Sequence, residues 1–544
     1  MTSPRGPRGA DALVQALQTA GVRRLFTLSG NHIMPVYDAV LGRGIALVHT
    51  RHEASTVHMA DAWARLTGEV GVALVTGGPG HANAVSALYT ARMAEAPVLL
   101  LSGHAPNDQL GLGAFQEMAQ AEMAAPVTKA AWTCASPDAV ADDLARAFRI
   151  ARSGRPGPVH LSLPTDVLER AFAGRQPPAA AFEPEPQALD PALADALLAR
   201  LGAARRPLIL VGAASMTRAA RRATEALQAA SGIPVIGMES PRGIADPSLG
   251  DFAALLARAD AVLLLGKRLD FTLKHGKPPF PATAEVHQVD ADEAEFARSR
   301  RAVGDRLQLV GQADAASAVR TLTERASARI AAADWLDECR AALAFRPPAW
   351  DTLAAATPGR LHPVQMLRPL QALLDSHPDA VLVCDGGEIG QWAMACLRAP
   401  HRVNNGVAGS IGAGLPYALA ARCAQPEAPV VAVMGDGTVG FHIAEFDTAV
   451  RHGLGFVAVI GNDARWNAEY QIQLRDYGPD RLLACELLPT RYDQVAQAFG
   501  GHGEGVTEAA ALAPALARAV ASGQPACINV MIEGAPAPTI KRAG

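Results

Sequence analysis

Short runs of Val, Leu and Ile recur along the whole chain, each followed by a longer amphipathic segment that often ends in glycine, and this alternation constrains the fold more than any other feature. Apolar runs without polar alternation suit strands covered on both faces, and parallel strands need a crossover between them, usually a helix. A first block holds runs at Arg24–Leu28, Ile45–His49, Val70–Thr76, Val98–Ser102 and Val159–Leu163. A second holds Leu208–Val211, Val235–Gly237, Ala261–Leu265, Val286–Val289 and Leu307–Val310, and a third Ala380–Cys384, Val430–Met434, Phe456–Ile460 and Cys527–Met531. Between them lie the clusters Pro177, Pro178, Pro184, Pro186 and Pro347, Pro348, Pro358, Pro363, which suit linkers because proline lacks an amide donor and fixes its own φ. The pattern predicts an α/β protein of three doubly wound parallel-sheet domains, over residues 1–175, 188–335 and 360–535. Ligands of such sheets sit beyond the C-terminal strand ends.

Composition narrows the function classes. With 49% apolar and 19% charged residues over 544 positions, the chain has ample material for several cores and little for disorder. A net charge of -4 and the lack of a basic run leave no footprint for nucleic acid or an anionic membrane. Seven scattered cysteines without a C-x-x-C pair suggest neither a zinc site nor a disulfide framework, and fit a reducing cytoplasm. The N-terminal stretch Met1–Asp11 has no apolar segment behind it, and no apolar run nears the roughly 18 residues that span a bilayer. Small-molecule chemistry is the expectation.

The third block carries the sharpest motif. Val430–Met434 leads into Gly435-Asp436-Gly437, a helix is expected over Thr438–Gly453, and Phe456–Ile460 ends at Gly461-Asn462-Asp463. A right-handed crossover sets the two strands in one sheet with Asp436 and the Asn462-Asp463 pair at the same edge. Magnesium favours such oxygens and completes its shell with phosphate oxygens and water. The glycines admit a close anion, and the helix start at Thr438 offers free amides. Read alone, Gly-Asp-Gly is equally a strand-to-helix turn with a capping Asp.

With the 24 residues that separate Gly437 from Asn462, this segment resembles the thiamine-diphosphate motif, in which an Asn-Asn pair follows at that distance. Asp463 stands where the family has its second Asn, adding a negative charge. The resemblance implies Asp436, Asp463 and the backbone carbonyl of Arg465 as magnesium ligands, with Gly437 and Thr438 at the diphosphate. Arg51-His52-Glu53 resembles the segment of the acetolactate synthase, pyruvate oxidase and benzaldehyde lyase group whose glutamate acts on the coenzyme's aminopyrimidine across a subunit boundary. Glu53 is therefore the expected coenzyme-activating carboxylate, against the plainer reading of a first-turn Glu helped by its helix. Thr76-Gly77-Gly78-Pro79-Gly80 with Asn83 resembles the turn beneath the pyrimidine, implying contacts from Thr76, Pro79 and Asn83. Gly409-Ser410-Ile411-Gly412 resembles the segment in which Gly409 accepts from the coenzyme's amino group and Ile411 holds its rings in a V. Gly387, in Asp385-Gly386-Gly387, is a further candidate for the diphosphate.

The substrate is less marked. His32, after the first strand, resembles the benzaldehyde lyase histidine that moves a substrate hydroxyl proton, and Gln116 resembles a glutamine lining the same site; imidazole and amide suit those tasks. Structural readings, a strand-end histidine and a loop glutamine, stand beside these. Gly390 replaces the tyrosine of benzaldehyde lyase and is expected to open the pocket. Leu265–Gly276 resembles the middle-domain segment of 2-hydroxyacyl-CoA lyases and FAD-bearing acetolactate synthases, and Gly212-Ala213-Ala214-Ser215 is a candidate phosphate turn. FAD or ADP is the less favoured occupant there, because one small-residue turn is more often only packing. The family implies a thiamine-diphosphate- and magnesium-dependent carbon-carbon lyase or carboligase acting on 2-keto acids or 2-hydroxy ketones, working as a homodimer or homotetramer. The alternatives are a 2-hydroxyacyl-CoA lyase or oxalyl-CoA decarboxylase-like enzyme, or a catalytically silent coenzyme-binding homologue.

Overall fold

The computed structural model describes residues 6–326 and 333–542; Met1–Arg5 of the N-terminal stretch weighed above lie outside them. The apolar runs become strands of three all-parallel sheets, and the chain divides into two units, Met1–Gln187 and Ala188–Gly544.

In the first unit β1 (Arg24–Thr27), β2 (Ala46–His49), β3 (Gly71–Val75), β4 (Val98–His104), β5 (Ala130–Thr133) and β6 (Val159–Pro164) pair in the order β2-β1-β3-β4-β6-β5. Leu74, Leu99, Leu101 and Leu161 on this sheet pack with Leu13, Leu17, Leu144 and Phe148 from flanking helices into one core. Two helices matter for function. Glu53–Thr67 starts at His52, whose Nδ1 accepts from the Ala54 amide at 3.1 Å, and stops at Gly68, which takes the left-handed φ of 78°. Pro79–Met93 begins with proline, whose missing N–H costs nothing in a first turn.

The second unit contains two sheets. β7 (Pro207–Val211), β8 (Val235–Gly237), β9 (Ala261–Leu265), β10 (Glu285–Asp290) and β11 (Leu307–Gln312) run in the order β11-β10-β9-β7-β8, with a hydrophobic core on each face. β12 (Val381–Cys384), β13 (His401–Asn404), β14 (Val430–Gly435), β15 (Val457–Asn462), β16 (His502–Val506) and β17 (Ala526–Met531) run β13-β12-β14-β15-β17-β16. Arg402 on β13 donates to buried Glu239, just after β8, through Nε at 3.1 Å and Nη2 at 2.9 Å, tying the two sheets together.

One helix departs from expectation. Instead of a single helix over Thr438–Gly453, the chain forms Asp436–Val439 and Glu445–Arg451 with turns between. The break lets His442 reach back through Nδ1 to the Gly412 carbonyl at 2.7 Å, a contact that a continuous helix would forgo. Among the described residues no helix is long and apolar enough to cross a membrane.

Candidate active site

In the first unit the candidates gather around Thr76, at the end of β3. Its Oγ1 shares a hydrogen bond with His32 Nδ1 at 3.2 Å. Glu53, first residue of its helix, accepts from Asn83 Nδ2 at 3.0 Å. Gly80 lies between them: a Cβ there would sit 2.7 Å from Thr76 Cγ2 and 3.5 Å from Glu53 Oε1. Buried His32 stacks on Phe115 with centroids 5.9 Å apart, and burial holds its imidazole below the usual value, so it is neutral at pH 7.

The glycine turn is held by residues that no motif marked. Buried Gln120 accepts from the Gly78 amide at 2.8 Å and donates to the Gly103 carbonyl and Ser162 Oγ, both at 3.1 Å. Gly78 needs its lack of a side chain twice over: φ is 57°, and a Cβ would meet that of Gln116 at 2.7 Å. Gln116 itself has a φ of 57°, which few non-glycine residues adopt, so the loop keeps it against Gly78 at some conformational cost. Beneath the turn, His81 shares a bond with Ser102 Oγ at 2.9 Å and lies 4.4 Å from the His160 ring.

In the second unit a cavity of about 370 Å³ opens at the carboxyl ends of β12, β14 and β15. Its lining includes Gly387, Gly409, Ile411, Asp436, Gly437, Thr438, Asp463 and Arg465, so these candidates, dispersed in sequence, meet at one place. Gly435 pairs with Gly461, which sets Asp436 and Asp463 on adjacent strand ends. Both carboxylates are buried, at 2% and 6% exposure. Burial pushes each above the ordinary carboxylate range, and for Asp463 the charge of Asp436 adds to the effect. The Arg465 amide donates to Asp436 Oδ2 at 3.1 Å. Asn462 turns away, donating through Nδ2 to the Thr490 carbonyl at 2.9 Å and Asn529 Oδ1 at 3.2 Å.

Burial keeps this pair raised even though the charges of Arg465 and Arg360 pull Asp463 down, and the paired oxygens suit a hard divalent ion. Among the described residues no group of three or more His, Cys, Asp or Glu forms a metal cluster, so the pair would share an ion with backbone and external oxygens, as magnesium does beside phosphates. The cradle around it is built for close backbone approach. A Cβ at Gly386, where φ is 96°, would lie 2.4 Å from Thr438 Oγ1, and one at Gly437 would lie 2.7 Å from the Trp466 ring. The residues present thus fit a diphosphate and its metal.

Ile411 is half-buried and faces the cavity rather than filling a core. Its loop hangs on Asp385, whose Oδ2 accepts from the amides of Gly412 at 3.0 Å and Gly414 at 2.6 Å, while Oδ1 accepts from Gly386 at 2.6 Å. Complete burial pushes this carboxyl up to about 6, against the pull of those amides. Gly390 is not part of the cavity wall: a Cβ there would point at the Asp385 carbonyl oxygen 3.0 Å away, and its neighbours Ile389 and Gln391 line the wall instead. The expected opening at Gly390 is therefore not found. In the middle sheet, the Gly212–Ser215 turn closes on itself, Ser215 N to Gly212 O at 3.1 Å. Arg268 there is paired with Glu295 at 3.1 Å.

Comparison with known proteins agrees with this geometry. Three family models match the chain: the N-terminal TPP binding domain of thiamine pyrophosphate enzymes over residues 7–123, their central domain over 194–322, and their C-terminal TPP binding domain over 385–530. A "Probable acetolactate synthase" of Mycobacterium bovis is 34% identical over 98% of this chain and 97% of its own length. The "2-hydroxyacyl-CoA lyase 2" of Bos taurus is 34% identical over 91% of this chain and 84% of its own. An "Acetolactate synthase large subunit" of Parasynechococcus marenigrum is 31% identical over 97% and 88%. On domain content, sheet arrangement and this likeness over nearly its full length, the chain belongs to the thiamine pyrophosphate enzymes, alongside acetolactate synthases and 2-hydroxyacyl-CoA lyases.

Proposed function

We propose that this thiamine-diphosphate enzyme requires magnesium and makes or breaks a carbon-carbon bond next to a carbonyl, with a 2-keto acid or 2-hydroxy ketone as substrate. The observation that carries the reading is the meeting of Asp436, Asp463, Gly437, Thr438, Gly409 and Ile411 around one cavity. When bound, the coenzyme would supply a nucleophilic carbon and, in its thiazolium ring, a sink for the electron pair of the bond being cleaved or formed.

The residues divide the remaining work. Asp436, Asp463 and the Arg465 carbonyl hold the magnesium, while Gly387, Gly437 and Thr438 seat the diphosphate. Ile411 supports the coenzyme's bend and Gly409 receives its amino group. Glu53, oriented by Asn83, holds a proton at the pyrimidine, with Thr76 and Pro79 shaping the turn below. His32, kept neutral by burial, takes or returns a proton of the substrate, and Gln116 donates to a carbonyl oxygen. Because the family's glutamate acts across a subunit boundary, the working form is a homodimer or homotetramer. Seven free thiols support a reducing, cytoplasmic setting.

The lyase-named relatives favour a second reading, cleavage of a 2-hydroxyacyl-CoA. Product analysis with pyruvate, benzoylformate, benzoin and a 2-hydroxyacyl-CoA in parallel separates the two. Carbon-carbon chemistry on a free keto acid or hydroxy ketone supports the first reading, and turnover confined to the thioester replaces it with the second. No magnesium-dependent binding of thiamine diphosphate would remove both.

A further inference from the structure

Three backbone segments of the first unit approach one another too closely for side chains to lie between them. A Cβ on Gly77 would lie 2.7 Å from the Gly103 carbonyl oxygen, one on Gly78 2.7 Å from Gln116 Cβ, and one on Gly103 2.5 Å from His32 Cβ. The turn after β3, the end of β4 and the loop that carries Gln116 thus meet at Gly77, Gly78 and Gly103, with His32 seated against the last. Glycines offer no apolar side chains to pack, so the hold on these segments falls to polar groups.

Gln120 supplies that hold. It opens the short helix Gln120–Ala124 and is buried, at 1% exposure. Its Oε1 accepts from the Gly78 amide, and its Nε2 donates to the Gly103 carbonyl and to Ser162 Oγ. Three of the four bonds that an amide can make are filled, each to a different segment. In a dry site the loss of such a bond leaves a backbone group unpaired rather than wet. The anchoring continues behind Ser162, whose Oγ shares a bond with His160 Nε2 at 3.4 Å; the His160 ring lies 4.4 Å from that of His81, and His81 Nδ1 shares a bond with Ser102 Oγ at 2.9 Å, next to Gly103. His104 Nε2, at the end of β4, shares one with the Met118 carbonyl at 3.0 Å, two residues beyond Gln116. None of these side chains takes part in the chemistry proposed above.

We infer that Gln120 is a positioning residue for activation of the coenzyme: it fixes the spacing between the pyrimidine turn, against which Glu53 rests, and the seats of His32 and Gln116. This role rests on the thiamine-diphosphate reading above and extends it to a side chain buried away from coenzyme and substrate. With Gln120 in place the Gly78 amide and the Gly103 carbonyl are tied to one amide plane, so the turn and the strand end keep a single register. Without it, Gly80, which packs between Thr76 and Glu53, is free to shift relative to His32. Such a shift alters the geometry of proton transfer and leaves the diphosphate and metal residues, which belong to the other unit, as they are.

The test follows exchange of the bound coenzyme's acidic ring-carbon proton for deuterium, by rapid quench and proton NMR, in the full chain with excess Mg2+, saturating thiamine diphosphate and no substrate. Gln120→Met, an apolar side chain of similar length, is expected to slow exchange per bound coenzyme about tenfold, while affinity for thiamine diphosphate, read by calorimetry, changes less than about threefold. Ser162→Ala removes one of the three bonds, a milder change that retains the fold if Gln120→Met loses it, and is expected to slow exchange about threefold. Gln120→Glu, whose buried and therefore protonated carboxyl keeps an acceptor for Gly78 and a donor for Gly103, is expected to exchange faster than Gln120→Met. A role confined to stability would lower the melting temperature and leave the rate per bound coenzyme unchanged. Exchange at the wild-type rate in folded Gln120→Met, or in Ser162→Ala where the first variant does not fold, overturns the assignment, as does Gln120→Glu exchanging no faster than Gln120→Met. A wild type that binds no thiamine diphosphate overturns the coenzyme reading itself, and the role of Gln120 with it.

Discussion

Asn83 donates through Nδ2 to Glu53 Oε2 at 3.0 Å, so the second turn of one helix aims the carboxylate at the start of another. Both residues lie beside the Thr76–Gly80 turn, and among the described residues Asn83 is the side-chain hydrogen-bond partner that sets the Glu53 rotamer. Glu53→Gln is expected to keep the fold and bind thiamine diphosphate while losing on the order of 10²–10⁴ in kcat, the usual size of a general acid-base contribution. Asn83→Ala should lower kcat by a smaller factor, of order ten, because it frees the carboxylate without removing it. Steady-state kinetics beside calorimetric coenzyme binding checks both; undiminished kcat in Glu53→Gln would exclude the assigned role.

If each site is shared between subunits, inactive variants should complement one another. Glu53→Gln and Asp436→Ala protomers, mixed under conditions of subunit exchange, are expected to regain about a quarter of wild-type activity, since half of the dimers are mixed and each has one intact site. No recovery, with exchange verified by mass spectrometry, would place Glu53 and Asp436 in a single-chain site.

The neighbouring carboxylates Asp436 and Asp463 make a prediction about charge. Asp463→Asn relieves repulsion between two buried anions, so the metal-free protein should melt at a higher temperature, consistent with about 1 kcal/mol. The same change should weaken Mg2+ binding about tenfold, because an amide oxygen is a poorer ligand for a hard cation than a carboxylate. Thermal melts with and without EDTA, plus a magnesium titration, read out the two effects in opposite directions.

Asp385 accepts from three backbone amides, those of Gly386, Gly412 and Gly414, for which the described residues show no other acceptor. Asp385→Ala would leave them buried and unpaired, at a cost of roughly 3 kcal/mol, and would free the loop that carries Ile411. Denaturant unfolding should show the loss, and coenzyme affinity should fall with it. A variant as stable as the wild type would mean that water or a neighbour replaces the carboxylate.

Burial lowers His81 to about 4 and His160 well below its usual value, so both are neutral in the folded unit. An unfolded chain takes up protons near pH 6.5, and the folded one does not follow until far lower. Stability is therefore full above pH 6.5 and declines as pH falls from there toward 4, His81 alone accounting for roughly 3 kcal/mol of the decline. His81→Gln should flatten the pH dependence of unfolding over that window, measured by urea denaturation at successive pH values.

The sequence by itself determined the sheet plan and the motif residues. Central parallel strands are covered on both faces, so they appear as unbroken apolar runs, and every central strand was placed within a residue or two. The three missed strands, Ala130–Thr133, His401–Asn404 and His502–Val506, all lie at sheet edges and are short or carry polar residues such as His401, Arg402, Asn404 and Glu504, so they lack an unbroken apolar run. Asp436 and Asp463 were readable because a strand-helix-strand unit has a nearly set length. What supports the site was not readable. Gln120 reaches Gly78 across 42 residues, Asp385 reaches Gly412 and Gly414 across 27 and 29, and His442 reaches Gly412 across 30. Such contacts have no local periodicity, since each depends on where separate strands end in space.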